Sequence, residues 1–511
     1  MRRLWPALLL AFAASACLRR PSSDPDIIVV SLPSGPNNLD PRMGTDDASQ
    51  KIHQLIFDNF MELDDRLRVV PKLAESLEHP NPLTYVARLR GGVHFHDGHE
   101  LTAADVVYTF GQFLDPAFVS PRKGGYRELQ SVVARDSQTV VFTLKQPFAS
   151  FPINLMMPIV EDGAGPNLRE HPVGTGPYRF VRYEVDDRVE LVANDHYWGG
   201  APRNAGLIMK IVPDDVMRGL ELQKGTVDLV VNDLAPDIVH QMRGNPQLQV
   251  AEGPGVDYQY IGLNLQDSKL TDTRVRQALA YAIDRDAIVK HLRRGLAAPA
   301  TGMLSPLSWA AASDVQTYSH DPAKARRLLD QAGYPDPDAD GPAARLSLTL
   351  KVSNSEFNRL QSAVIQQNLR DVGIELDVRT YEFATLYADV LTGNFQLFTL
   401  QWTAGALADP DILRRVFHSR QAPPVGFNRG RYSNPEVDAL LDEADGTEEA
   451  PRRIALYVEV QRILARDVPY VSLWYKTNVA VAQRNLTGIR LTPLADFNFL
   501  KDVARIAAAT K

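Results

Sequence analysis

The sequence predicts an α/β protein built from several domains, and three observations carry that prediction. At 511 residues the chain is longer than one compact core supports, so two or three domains are expected. Residues 346–378 alternate in character: Leu346, Leu348, Leu350 and Val352 recur at period two, Phe357 to Val372 reads as a helix closed by Gly373, and Ile374, Leu376 and Val378 return to period two. Strand, helix and strand in that order build α/β lobes. The third observation is the stretch Val256 to Arg285. Tyr258, Tyr260, Gly262 and Asn264 alternate with Gln259, Ile261, Leu263 and Leu265, and after the polar break 266–271 the residues Val275, Ala278, Leu279, Ala282 and Ile283 share one helix face. Thr271 or Asp272 suits the cap of that helix and Asp284 the cap of the next. A buried strand running straight into a buried helix, midway along the chain, predicts a passage from one lobe to another.

The remaining elements follow in order. Arg2 and Arg3, the apolar run Leu4 to Ala16 and its small-residue end describe a signal peptide over 1–16. Cys17 is the only cysteine, so no intrachain disulfide forms, and Ala14-Ser15-Ala16-Cys17 resembles a bacterial lipobox. Lipidation of Cys17 is therefore expected, with the Pro- and Ser-rich residues 17–25 as a tether. Ile27 to Leu32 reads as a strand, and Ile52, Leu55, Ile56 and Phe60 sit at helical spacing. Thr84 to Phe110 reads as a strand, an Asp97-Gly98 turn and a helix capped by Thr102. Residues 139–144 are another strand, and 172–180 a Gly- and Pro-punctuated loop entering a strand. Asp321-Pro322 opens a helix that Gly333 stops, Asn434-Pro435 caps another, and 451–465 supplies a longer one. The apolar run from Pro469 to Ala482 reads as one strand leading back toward the C-terminus.

Composition narrows the function. Hydrophobic content of 44% and charged content of 23% are those of a soluble globular chain. Net charge is -7, and without residues 1–16 the balance is 53 basic to 62 acidic side chains, which argues against nucleic acid and anionic membrane as partners. After the N-terminal run, no stretch approaches the ~18 apolar residues of a spanning helix. His94, His96 and His99 with Asp97 suggest a metal site, but on a strand only His94 and His96 share a face, Asp97-Gly98 is ordinary hairpin chemistry, and a zinc site closes with a third or fourth ligand. The loop from Asp336 to Gly341 begins like a calcium loop and has Ser347 where glutamate is required, so no metal is expected. Gly174 and Gly176 lack the Gly-Lys-Ser/Thr of a phosphate loop. With no Gly-Xaa-Ser-Xaa-Gly elbow and no His-Glu-Xaa-Xaa-His, no catalytic residue and no cofactor is expected.

Ile-Gly-Leu-Asn at 261–264, Arg-Val-Arg-Gln-Ala-Leu at 274–279 and Tyr-Ala-Ile-Asp-Arg at 281–285 resemble the family 5 extracellular solute-binding proteins, the peptide- and nickel-binding components of bacterial ABC importers. Blocks at 57–76, 84–110, 172–180, 193–200 and 225–231 are similar to that family in the same order. The resemblance implies a type II periplasmic-binding-protein-like fold, two hinged α/β lobes plus an extra α+β domain. It places lobe I at 26–46, 177–265 and 481–511, the extra domain at 47–176 and lobe II at 266–480. It also implies that an extended peptide lies in the interlobe cleft, with main-chain hydrogen bonds as in strand addition. An aspartate pairing with the peptide ammonium stands three residues after a Trp in that pattern; here Trp402 and Thr403 match and Gly405 holds the aspartate's place. Asp409 or Asp411 is left to substitute, although Asp409-Pro410 also reads as a helix cap. Trp402 is either a ligand platform or core. On the first-lobe side the resemblance points to Gly44, Thr45 and Asp46; Tyr258 and Tyr260 lie near the crossover, a position from which their hydroxyls are expected to reach the cleft.

The expected function is a lipid-anchored, monomeric binding protein of the periplasm or cell envelope. It would deliver an oligopeptide-like solute to an ABC permease and its ATPase, touching the membrane only through its lipid. Because of Gly405, a modified peptide, an oligosaccharide or a metal chelate is the alternative ligand. An envelope hydrolase or a sensor on the same scaffold is the rival class.

Overall fold

The computed structural model describes residues 26–339 and 341–506. The expected signal segment, Cys17 and the tether lie outside the described residues. Among these residues, three sheets of four or more strands organise the chain. The first has the order Leu248–Gly253, Asn478–Gln483, Leu229–Val231, Ile27–Leu32, Gly206–Ile211, Arg188–Ala193 and Tyr178–Glu184. Ile27–Leu32 runs parallel to both of its neighbours and its Ile28, Val30 and Leu32 are fully buried, which is why it reads as a continuous apolar run. The second sheet has the order Ala297–Pro299, Tyr470–Lys476, Tyr258–Leu263, Leu397–Trp402, Leu346–Ser353 and Ile374–Tyr381. Its 346–378 portion forms the strand, helix and strand expected, the helix being Glu356–Arg370 with Gly373 in the left-handed conformation beyond it.

The third sheet is antiparallel: Ala74–Asn81, Thr84–Leu89, Thr139–Leu144 and Leu129–Asp136. Helix Ala103–Leu114, held by a Thr102/Asp105 capping box, lies against it. Between them pack Phe60, Phe110, Phe142 and Phe151, with Phe110 and Phe142 edge to face at 5.1 Å.

Several expected boundaries shift. Helix Asp47–Ile56 buries Ala48, Ile52, Leu55 and Ile56 in the core of the first sheet, so the extra unit begins after it rather than at residue 47. Tyr258–Leu263 is hydrogen-bonded inside the second sheet, between Tyr470–Lys476 and Leu397–Trp402, so it belongs with lobe II and not with the 177–265 part of lobe I. All six of its residues are buried, because sheet neighbours and helices cover both faces. The passage between lobes therefore precedes this strand, at 254–257, instead of following it.

The run from Pro469 to Ala482 is not one strand. Tyr470–Lys476 ends in the second sheet and Asn478–Gln483 starts in the first, so the chain crosses back at Thr477. The two passages run side by side: the Lys476 N–H donates to the Asp257 carbonyl at 2.9 Å. A Cβ at Gly255 would lie 2.2 Å from the Lys476 carbonyl oxygen, so only glycine allows this approach.

Candidate ligand-binding cleft

A cleft of about 620 Å³ opens where the three sheets meet. Its first-sheet wall carries Asp47, Gln50, Lys51, Asn232, Asp233 and Asn478, and the extra unit contributes Arg122, Asn154 and Met156. The second-sheet wall carries Asp257, Thr403, Gly405, Ala408 and Lys476. A cavity of that size between lobes is the usual setting for a small ligand, and this one is lined mainly by polar and charged side chains.

Lys51 bridges Asp47 at 2.8 Å and Asp233 at 3.5 Å; burial opposes its charge, and the two carboxylates outweigh it and raise its pKa. Lys476 donates to the Asn232 carbonyl at 3.4 Å, and burial lowers its pKa. Arg122 donates through Nη2 to the Gly44 carbonyl at 2.9 Å, and its Nε has no acceptor among the described residues. His53 is pushed down to about 4 by burial, so it is a neutral imidazole at pH 7 whose Nε2–H donates to the Asn38 carbonyl at 3.0 Å. Asn232 Nδ2 donates to Asn478 Oδ1 at 3.0 Å, joining the floor of the cleft to the returning chain. The cleft thus presents both signs of charge together with amide donors and acceptors.

The sequence-predicted residues divide. Thr403 and Gly405 line the cleft; Gly405 is exposed and a Cβ there would meet nothing within 4 Å. Trp402 is packed behind them, its ring edge to face with Phe427 at 5.3 Å and 4.9 Å from the Arg429 guanidinium, which gives it a core role. Gly44 is buried, and Asp46 caps helix Asp47–Ile56 by accepting from the Ser49 N–H at 2.9 Å and the Ser49 hydroxyl at 2.6 Å. Thr45 is exposed and its carbonyl accepts from Gln50 at 2.8 Å. The cleft wall begins at the following residue, Asp47, so the expectation for Gly44, Thr45 and Asp46 misses it narrowly.

Tyr258 and Tyr260 are a correction. Their rings stack 5.5 Å apart inside the second lobe, the Tyr258 hydroxyl meets Ser472 Oγ at 2.7 Å, and Arg429 Nη1 donates to the Tyr260 hydroxyl at 3.1 Å. Neither reaches the cleft, because a strand in mid-sheet is covered on both faces.

Asp409 is the second correction. Its Oδ1 accepts from the Asp411 N–H at 2.8 Å and from Ser150 Oγ at 2.9 Å, and Arg453 lies 3.8 Å away. Its carboxylate is engaged by the helix entry and by the extra unit, leaving none to replace the one missing at 405. Beside it, desolvation together with Asp409 and Asp445 pushes the Asp411 carboxyl up to about 7, against the partial relief of Arg414 and Arg415. An acid whose folded pKa is raised adds stability that is complete below its unfolded pKa of about 4 and is lost as pH rises through about 7. Wild-type stability should therefore fall with pH across that window by up to ~1.4 kcal/mol per unit from this group. Denaturation midpoints of Asp411→Asn should lack that slope; parallel slopes in the two proteins would rule the assignment out.

Sequence reasoning missed Arg122, Asn154, Asn232, Asp233, Asp257 and Lys476, which come from separate segments and carry no local motif. The one local signal is Asn232, held at φ 64° beside the cleft.

Comparison with known proteins agrees with this architecture. Residues 68–424 match the family described as bacterial extracellular solute-binding proteins, family 5 (middle). The oligopeptide-binding protein AppA of Bacillus subtilis is 30% identical over 500 residues, covering 93% of this chain and 91% of that protein. The glutathione-binding protein GsiB of Escherichia coli is 31% identical over 488 residues, covering 92% and 93%. Among solved structures, NikZ of Campylobacter jejuni in complex with Ni(L-His) superposes with a TM-score of 0.79 at 25% identity, covering 94% of this chain and 100% of that one. With two thirds of its length under the family model and near-complete relatives at this identity, the chain belongs to the family 5 bacterial extracellular solute-binding proteins.

Proposed function

We propose that this protein captures a peptide-like solute in the cleft between its two lobes and delivers it to the permease of an ABC importer, acting by binding and not by catalysis. The observation that carries the reading is the cleft itself. It is walled by both lobes and the extra unit, crossed beneath by two chain passages among the described residues, and lined by both signs of charge and by amide groups. Such a lining suits the backbone and termini of a short peptide, and domain closure about two passages is an established way to enclose a ligand. The relatives named for oligopeptides and glutathione support the same class. The permease and its ATPase supply the energy of transport. The signal peptide and Cys17 fit a monomer held at the envelope by its N-terminal lipid.

A second reading has its own support. Gly405 faces open space without a carboxylate and Asp409 is engaged elsewhere, which favours a solute with no free ammonium at that point, such as an N-blocked peptide or a metal chelate. Native mass spectrometry of the protein lacking residues 1–17, followed by denaturing release, separates the two. A ladder of peptide masses is expected. A single non-peptide mass would overturn the peptide reading, and a metal isotope pattern within it would select the chelate.

A further inference from the structure

The extra unit touches the second lobe through a small set of polar contacts at the rim of the cleft. Arg453, on helix Ala450–Asp467, donates to the Ala149 carbonyl at 3.2 Å and to the Ser150 hydroxyl, and that hydroxyl donates to Asp409 Oδ1 at 2.9 Å. The Ala149 N–H donates to the Asp445 carbonyl at 3.1 Å. Ser150 is 2% exposed and Arg453 8%, so these bonds exclude water. Both sides of the contact adjoin the cleft: Asp409 follows the lining residue Ala408, and Ser150 precedes the lining residues Ile153 and Asn154.

Among the described residues, no covalent passage joins the extra unit to the second lobe. The chain enters and leaves the unit from the first lobe, and buried Asp58 ties it there by accepting from Thr175, Tyr197 and Trp198. Parting the two lobes therefore parts Ser150 from Asp409 and Arg453. The contact is also incompletely satisfied: Arg453 Nε and Asp445 Oδ1 are buried without hydrogen-bond partners among the described residues. An interface with such gaps is one that opens at modest cost.

We propose that Ser150, Asp409 and Arg453 form a clasp across the cleft rim that positions the extra unit on the second lobe and sets how fast a bound solute leaves, without touching the solute. This rests on the reading of the cleft as the solute site. The clasp holds the rim closed with or without solute, so its loss speeds release and does not slow association.

Ser150→Ala removes both hydroxyl bonds and no volume the fold needs. Stopped-flow release of the co-purified solute should be roughly tenfold faster in this variant, with association no slower, since bonds to charged groups of this kind shift equilibria by that order. Asp409→Asn should speed release in the same direction, and the double variant should add little to either single change. A second measurement needs no solute: electron–electron spin distances between labels at exposed positions 133 and 331, on the extra unit and the second lobe, in solute-free protein. Ser150→Ala should shift the distribution toward longer distances. Unchanged distances would overturn the clasp whatever the cleft binds, whereas lengthened distances with no solute found anywhere would retain the clasp and remove only the solute reading.

Discussion

Asp58→Ala should destabilise the protein by about 3–5 kcal/mol, the range for removing one partner of a buried charged network. Asp58 is 1% exposed and accepts from Tyr197 OH and Trp198 Nε1, each at 2.8 Å, and from Thr175 Oγ1 at 3.0 Å, with the Lys72 ammonium at 3.5 Å. Alanine leaves three donors without this acceptor, those of Thr175 and Tyr197 on buried residues, and each buried group forfeits roughly 1–3 kcal/mol. Lys72 keeps Glu62 at 3.1 Å, which limits the damage to its charge. Asp58→Asn retains an acceptor and should lose less. Urea unfolding followed by tryptophan emission checks this directly, because Trp198 reports on the junction. A loss below ~1 kcal/mol for alanine would show that the network is not what joins the extra unit to the first lobe.

Gly174→Ala should be nearly as damaging, by pure sterics. A Cβ at 174 would stand 2.2 Å from the Ile56 carbonyl oxygen and 2.9 Å from its carbon, and a Cβ at 176 would stand 2.6 Å from the same carbon. Ile56 is fully buried at the end of helix Asp47–Ile56, and its carbonyl accepts from the Gly176 N–H at 2.9 Å. Neither backbone has room to retreat, so the overpacking penalty should reach the upper part of the usual range, about 3 kcal/mol. Gly405→Ala is the matched control: with nothing within 4 Å, its effect should stay within about 0.5 kcal/mol. Equal melting shifts in the two variants would refute the steric account.

These glycines show where the sequence is legible and where it is not. Gly174 and Gly176 mark a loop in the sequence, yet the reason for them is contact with a helix end more than a hundred residues earlier. Period-two alternation locates Leu346–Ser353, and short strand-like runs locate Ile27–Leu32 and Thr139–Leu144, because side-chain burial is a local pattern. Alternation also finds the strand at Tyr258, but it cannot say which sheet the strand joins, and the lobe boundary misses for that reason. Pro469 to Ala482 looks like one apolar run because strands of two different sheets meet there with a single residue between them. The cleft was legible only at Thr403 and Gly405, through resemblance. Its charged lining is assembled from distant segments, and Asp46 and Asp409, acidic and well placed, turn out to be occupied by backbone and neighbouring side chains.

The strand pair on either side of Thr477 has a consequence for how the protein is made. Tyr470–Lys476 lies between Ala297–Pro299 and Tyr258–Leu263, and Asn478–Gln483 lies between Leu248–Gly253 and Leu229–Val231. Each is an interior strand, so both large sheets have a gap until this stretch emerges. During synthesis from the N-terminus, Leu248–Gly253 has no sheet partner and the second sheet lacks an interior strand until this stretch is made. Open strand edges of this kind invite mispairing, so the chain depends on being kept extended until nearly all of it has been delivered. The same arrangement makes completion of the two lobes one event, and a nascent chain cannot enclose a solute before its end arrives.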